Sequence, residues 1–134
     1  MNKSTYYKRL FFIAGLWNLG AAIPAWLGTI FMPDLMSGIF GMAPSTVPFF
    51  SHAMFGFIVT FGIGYFIVSC DITKNHGIVM LGIIAKVLYF IDCVITFALK
   101  QANIQLLLTG IVDIIFVCLF IEFLLSVRKG SLKT

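Results

Sequence analysis

Residues 77–99 read GIVMLGIIAKVLYFIDCVITFAL, an apolar run that carries two charges, Lys86 and Asp92. Its 23 residues are enough to cross a bilayer as a helix, since a hydrocarbon core needs about 20. On that helix Lys86 lies nine residues from the near end, or ~14 Å along the axis, which is close to the midplane. An ammonium at that depth is costly, needs a partner and marks a functional-site candidate by default. The remaining sequence has to supply the partner.

The chain has 134 residues, 60% of them hydrophobic and 10% charged, with a mean hydropathy of +1.06. That balance is far from a soluble domain's. Three more apolar segments, 10–32, 48–70 and 104–127, predict an all-α polytopic membrane protein. The expected architecture is one domain over 1–134, a four-transmembrane-helix bundle with short loops. No stretch is left for a soluble domain, so any activity lies in the bundle, its loops or a partner. Lys3, Lys8 and Arg9 precede the first segment, Lys74 joins the second to the third, and Arg128, Lys129 and Lys133 follow the fourth. The opposite side has only Lys100, so both termini are expected in the cytoplasm. The net charge of +4 then serves insertion and attraction to anionic lipid, and no nucleic-acid partner is expected. The first segment runs too far for a signal-peptide core and is read as a retained helix. Cys70, Cys93 and Cys118 show no CxxC spacing and read as packing residues.

In the first segment Ala14, Asn18, Ala21 and Ala25 form a small-residue face, with Pro24 kinking the outer half. Asn18 sits at mid-depth and should point inward, as interhelical glue or as a ligand contact. Pro33 and Asp34 start a short helix in the first loop, with Leu35, Met36, Ile39 and Phe40 on one side in the outer interface. His52, Gly56, Thr60 and Gly64 recur every four residues as a ridge for close helix approach. His52, near the outer end, either titrates, relays protons or hydrogen-bonds to the first loop. In the loop CDITKNHG, Asp71 and Lys74 are expected to cap helix ends and Asn75 or Gly77 to shape the turn. Cys70, Asp71 and His76 match no strong metal template. The two histidines fall at opposite ends and cannot share a haem, so neither metal nor other cofactor is expected.

Gln105, Thr109 and Asp113 supply the partner stripe on the fourth segment. Asp113 lies nine residues from the outer end, or ~14 Å, so in a core ~30 Å thick its depth nearly coincides with that of Lys86. The predicted core is a Lys86–Asp113 ion pair with Asn18 at its level. Tyr89, Asp92 and Thr96 would extend polarity toward the outer mouth, where His52 and Gln105 also point. Asp92 is turned well away from Lys86, and is either protonated or meets a neighbouring subunit. Glu122 is placed near the headgroups, within reach of Lys8, Arg9 or Lys129. Two readings stay open. The leading one is a homo-oligomer whose polar core binds or translocates a small anionic or amphiphilic, lipid-like ligand. The other is a non-catalytic accessory or assembly protein of a larger membrane complex, with the pair fixing helix register. An enzyme has the least support, because no serine, cysteine or histidine stands beside a base.

Gly62, Gly64 and Tyr65, then Asp71, Lys74 and Asn75, then Leu81, Gly82 and Lys86 form a pattern that resembles a group of uncharacterised small bacterial four-helix membrane proteins. The Pro33-Asp34-Leu35 turn and Trp17, Asn18 and Pro24 are similar to that group too. The resemblance implies a bacterial inner (plasma) membrane, brings no activity, and singles out Asn18, Tyr65, Asp71, Lys74 and Lys86. The four-helix plan is also similar to small multidrug resistance transporters, which work as dimers. This chain lacks their glutamate in the middle of the first helix, and its charge bias opposes dual insertion.

Overall fold

Five helices arise among residues 2–43 and 48–130, the part of the chain described by the computed structural model: α1 (Lys3–Phe31), α2 (Pro33–Phe40), α3 (Pro48–Cys70), α4 (His76–Ala98) and α5 (Ile104–Arg128). Lys133 of the tail, counted above among the basic flanks, lies outside the described residues. The helices α1, α3, α4 and α5 are long and apolar enough to cross a membrane. Their outward faces carry the exposed Phe31, Ile63, Leu81 and Leu108. A surface that apolar suits hydrocarbon, where each helix satisfies its own backbone. The fold is that of a multi-pass membrane helix bundle. The first helix begins at Lys3, before the apolar segment itself, because Asn2 caps it by accepting the Ser4 amide at 3.2 Å. It continues through Pro24.

The bundle is built as two antiparallel pairs, α1 against α3 and α4 against α5. Glycine sets the first approach: a methyl on Gly62 would meet the Leu19 side chain at 2.9 Å, and one on Gly15 would meet the Gly62 carbonyl at 3.1 Å. The expected four-residue ridge is therefore divided. Gly64 packs against Ile78 of α4, while Thr60 is exposed and donates to the Gly56 carbonyl of its own helix at 2.9 Å. Steps of four residues drift about 40° each around an α-helix, so four such positions cannot all face one neighbour. In the second pair Gly110 leaves room for Cys93 and Phe90.

The pairs meet mainly at the end that carries both termini. Tyr7, Phe11, Tyr65, Phe116, Phe120 and Phe123 form the core there, with Val68, Ile72 and Val79. Phe120 lies at its centre, fully buried, 4.9 Å from the Phe11 ring and 5.0 Å from that of Tyr65. The backbones of α1 and α5 stay apart, and these rings fill the distance between them. The Tyr7 hydroxyl ties the same end by hydrogen bonds to Ser126 at 2.7 Å and to Glu122 at 3.0 Å. Glu122 thus accepts from a tyrosine of α1. Toward the other end the pairs diverge.

The short helix α2 lies at the diverging end. Pro33 opens it with Asp34 in its first turn, and Gly41 closes it in the left-handed conformation at φ 65°. Asn103 holds it down: the Asn103 amide donates to the Phe40 carbonyl at 2.8 Å, and its side-chain Nδ2 to the Ile39 carbonyl at 2.7 Å. The Oδ1 of the same side chain accepts the Gln105 amide at 3.1 Å and caps α5. Asn103→Ala is expected to lower stability by about 1 kcal/mol through the lost cap. It should also speed amide hydrogen exchange over residues 33–42. Unchanged exchange there would show that the clip does not hold α2.

Candidate functional site

Lys86 is 4% exposed and places its Nζ 2.5 Å from Asp113 Oδ1 and 3.1 Å from Asn18 Oδ1. The three side chains come from α4, α5 and α1. Helix α3 completes the set, because Asn18 Nδ2 donates to the Ile58 carbonyl at 3.3 Å. It also contributes Tyr65, whose ring centroid lies 5.7 Å from Lys86 Nζ, with Phe116 at 5.3 Å on another side. Such contacts favour a desolvated cation. Depth-matching in the sequence brought Lys86, Asp113 and Asn18 together correctly, and Tyr65 joins them as an aromatic wall.

Gly82, one turn from Lys86, makes this arrangement possible. A methyl there would sit 2.5 Å from the Tyr65 hydroxyl, so only glycine leaves space for the phenol. That hydroxyl is buried and has no hydrogen-bond partner among the described residues.

Above this cluster the diverging pairs enclose a cavity of about 630 Å³. Lys86 and Asp113 form its floor; Ala21 and Ala25 of α1 and Phe57 and Phe61 of α3 are among its walls; Met36 and Phe40 of α2 reach over it. The volume falls within the roughly 300–1,000 Å³ of small-molecule sites, and apolar walls with few polar groups are their usual make-up. Asp113 reaches into it with its side chain 13% exposed, and among the described residues only its Oδ1 is hydrogen-bonded.

Other expected residues divide between the cavity and its surroundings. Tyr89 lines the cavity, with its hydroxyl 2.9 Å from Thr109 Oγ1; Thr109 in turn donates to the Leu106 carbonyl at 2.6 Å, so Tyr89 is the donor of the first bond. His52 sits at the rim, its Nδ1 accepting Trp26 Nε1 at 3.0 Å, which fixes a ring with Nδ1 unprotonated. It bonds to α1 where the first loop had been one of the expected partners. Gln105 is exposed and does not line the cavity, although Thr109 and Asp113 from the same stripe do. Asp92 also lies outside it, on the exposed surface of α4, with no side-chain partner among the described residues. Six residues from Lys86 turn it by about 240° around the helix, which removes it from the core.

Asp71, Lys74 and Asn75 lie beyond the aromatic core at the far end from the cavity. Asp71 pairs with Lys74 at 3.2 Å and accepts both the Thr73 amide at 3.0 Å and the Thr73 hydroxyl at 2.6 Å. Asn75 takes the left-handed conformation at φ 61° and starts α4. These residues build the turn. The Thr73 hydroxyl and amide, followed by Lys74, hold the Asp71 carboxyl down at about 2. A carboxyl depressed in the fold supports it above the ordinary value of 3.8 and loses that support as the pH falls through about 2. A carboxyl-carbon NMR titration should find that low midpoint, and Thr73→Ala should move it toward 3.8. An ordinary midpoint in the unaltered protein would refute the Asp71–Thr73 turn.

No protein family, curated protein or solved structure matches this chain, so its function has to be read from the cavity and the ion pair beneath it.

Proposed function

We propose that the protein binds a small amphiphilic ligand between its two helix pairs, the apolar part against the cavity walls and the polar part at the Lys86–Asp113 level. One observation carries this reading: a buried ion pair forms the floor of an apolar cavity of about 630 Å³, with one partner still accessible from above. A pair that served helix register alone would be packed on every side, and the volume over it would be filled. The basic flanks orient the aromatic end toward the cytoplasm of a bacterial inner membrane and the cavity toward the outside. The unpartnered carboxylate of Asp92 on the outward face of α4 supports a homo-oligomer in which a second copy covers it. An anionic group gains Lys86 only by displacing Asp113 from it. Translocation further requires the aromatic core to part.

Native mass spectrometry of the protein in a mild detergent tests the reading. A recurrent extra mass is expected on the unaltered chain and not on Ala25→Phe, whose ring would occupy the cavity. A chain that carries no added mass and travels with one larger membrane complex would favour the accessory role instead.

A further inference from the structure

Building on that binding reading, we infer that the ligand's polar group is a cationic hydrogen-bond donor, an ammonium, received by Asp113 Oδ2. The argument is a count of donors and acceptors at the cavity floor. Lys86 has three N–H groups: one goes to Asp113 Oδ1 and one to Asn18 Oδ1, while the Tyr65 and Phe116 rings stand beside the ammonium. At 4% exposure the ammonium is withdrawn behind its partners. Asn18 is engaged at both ends of its amide, and the Tyr89 hydroxyl is committed to Thr109. Two groups of the floor are left without a partner among the described residues, the Tyr65 hydroxyl, which is fully buried and neutral, and Asp113 Oδ2, the one ionised acceptor, on a side chain that lines the cavity and is 13% exposed.

A ligand descending through the cavity therefore meets a carboxylate oxygen before it meets the lysine. Ionised acceptors make the shorter and stronger hydrogen bonds with charged donors. Trp17, Phe57, Phe61 and Tyr89 line the approach, and aromatic faces attract an alkylammonium and not an anion. The sequence had pointed to an anionic ligand through the mid-membrane lysine. In the fold the lysine's charge is already answered, and the open valence belongs to its partner.

Three probes with one chain length separate the possibilities: decylammonium, decanol and decanoate, titrated at pH 7 into the full-length protein in neutral maltoside micelles. Tryptophan emission, from Trp17 in the cavity wall and Trp26 bonded to His52 at the rim, gives the readout, with the signal of Ala25→Phe subtracted. Decylammonium is expected to bind at least about tenfold more tightly than decanoate, the margin of one charge-assisted hydrogen bond, with decanol between them. Asp113→Asn should abolish the preference. Decanoate binding as tightly as decylammonium or more so would overturn the assignment to Asp113 while leaving a cavity that binds amphiphiles. No response to any of the three would overturn the binding reading itself. The ranking on the unaltered protein decides alone, so a poorly folded Asp113→Asn leaves the test intact.

Discussion

Lys86→Met is expected to lower stability by about 3–5 kcal/mol, and adding Asp113→Leu to the same chain is expected to recover most of that loss. The single change leaves a carboxylate in the membrane interior without the ammonium that lies 2.5 Å away in the intact protein. The double change removes both charges and leaves an apolar floor, with Asn18 still bonded to the Ile58 carbonyl. Unfolding by graded addition of dodecyl sulfate to mild micelles measures all three chains. Equal damage from the single and the double change would rule out a stabilising interaction between Lys86 and Asp113.

Phe120→Ala is expected to cost about 3–5 kcal/mol, at the level of a large aromatic truncated in a close-packed core. Phe120 is fully buried and touches rings from α1, α3 and its own helix, Phe11, Tyr65 and Phe116. The two backbones on either side are too far apart to close the space, so a void remains where attractive contacts stood. Leu81→Ala is the control, because Leu81 is 60% exposed to the surroundings of the bundle. Its effect should stay within about 0.5 kcal/mol. The same dodecyl sulfate titration compares them, and a similar loss from both changes would mean that the aromatic core does not join the pairs.

Four spans and the Lys86–Asp113 pair were legible in the sequence because length and depth are simple arithmetic on a helix. Pro33 and Asp34 announced α2 by the same local chemistry that starts helices elsewhere. The cavity was not legible. In water an apolar stripe shows which face of a helix turns inward; here Phe57 is as apolar as the buried Phe55, and nothing in the residue types tells the two apart. Small and polar residues were the remaining guide, and they misled where a four-residue repeat was read as one face, as Thr60 shows. Asn103 gave no long-range signal at all: as a cap it is ordinary, and its hold on Ile39 and Phe40 exists only once α2 is folded back. Tyr65 came from a resemblance, and its physical reason, the space over Gly82, appears only in three dimensions.

The uneven joining of the two pairs makes the molecule a pair of tweezers. Rings from both arms lock the pivot, while across the tips α2 and Asn103 supply the main tie, two hydrogen bonds to the Ile39 and Phe40 carbonyls. Thermal motion then widens the jaws long before it loosens the pivot, because the fewest interactions have to break there.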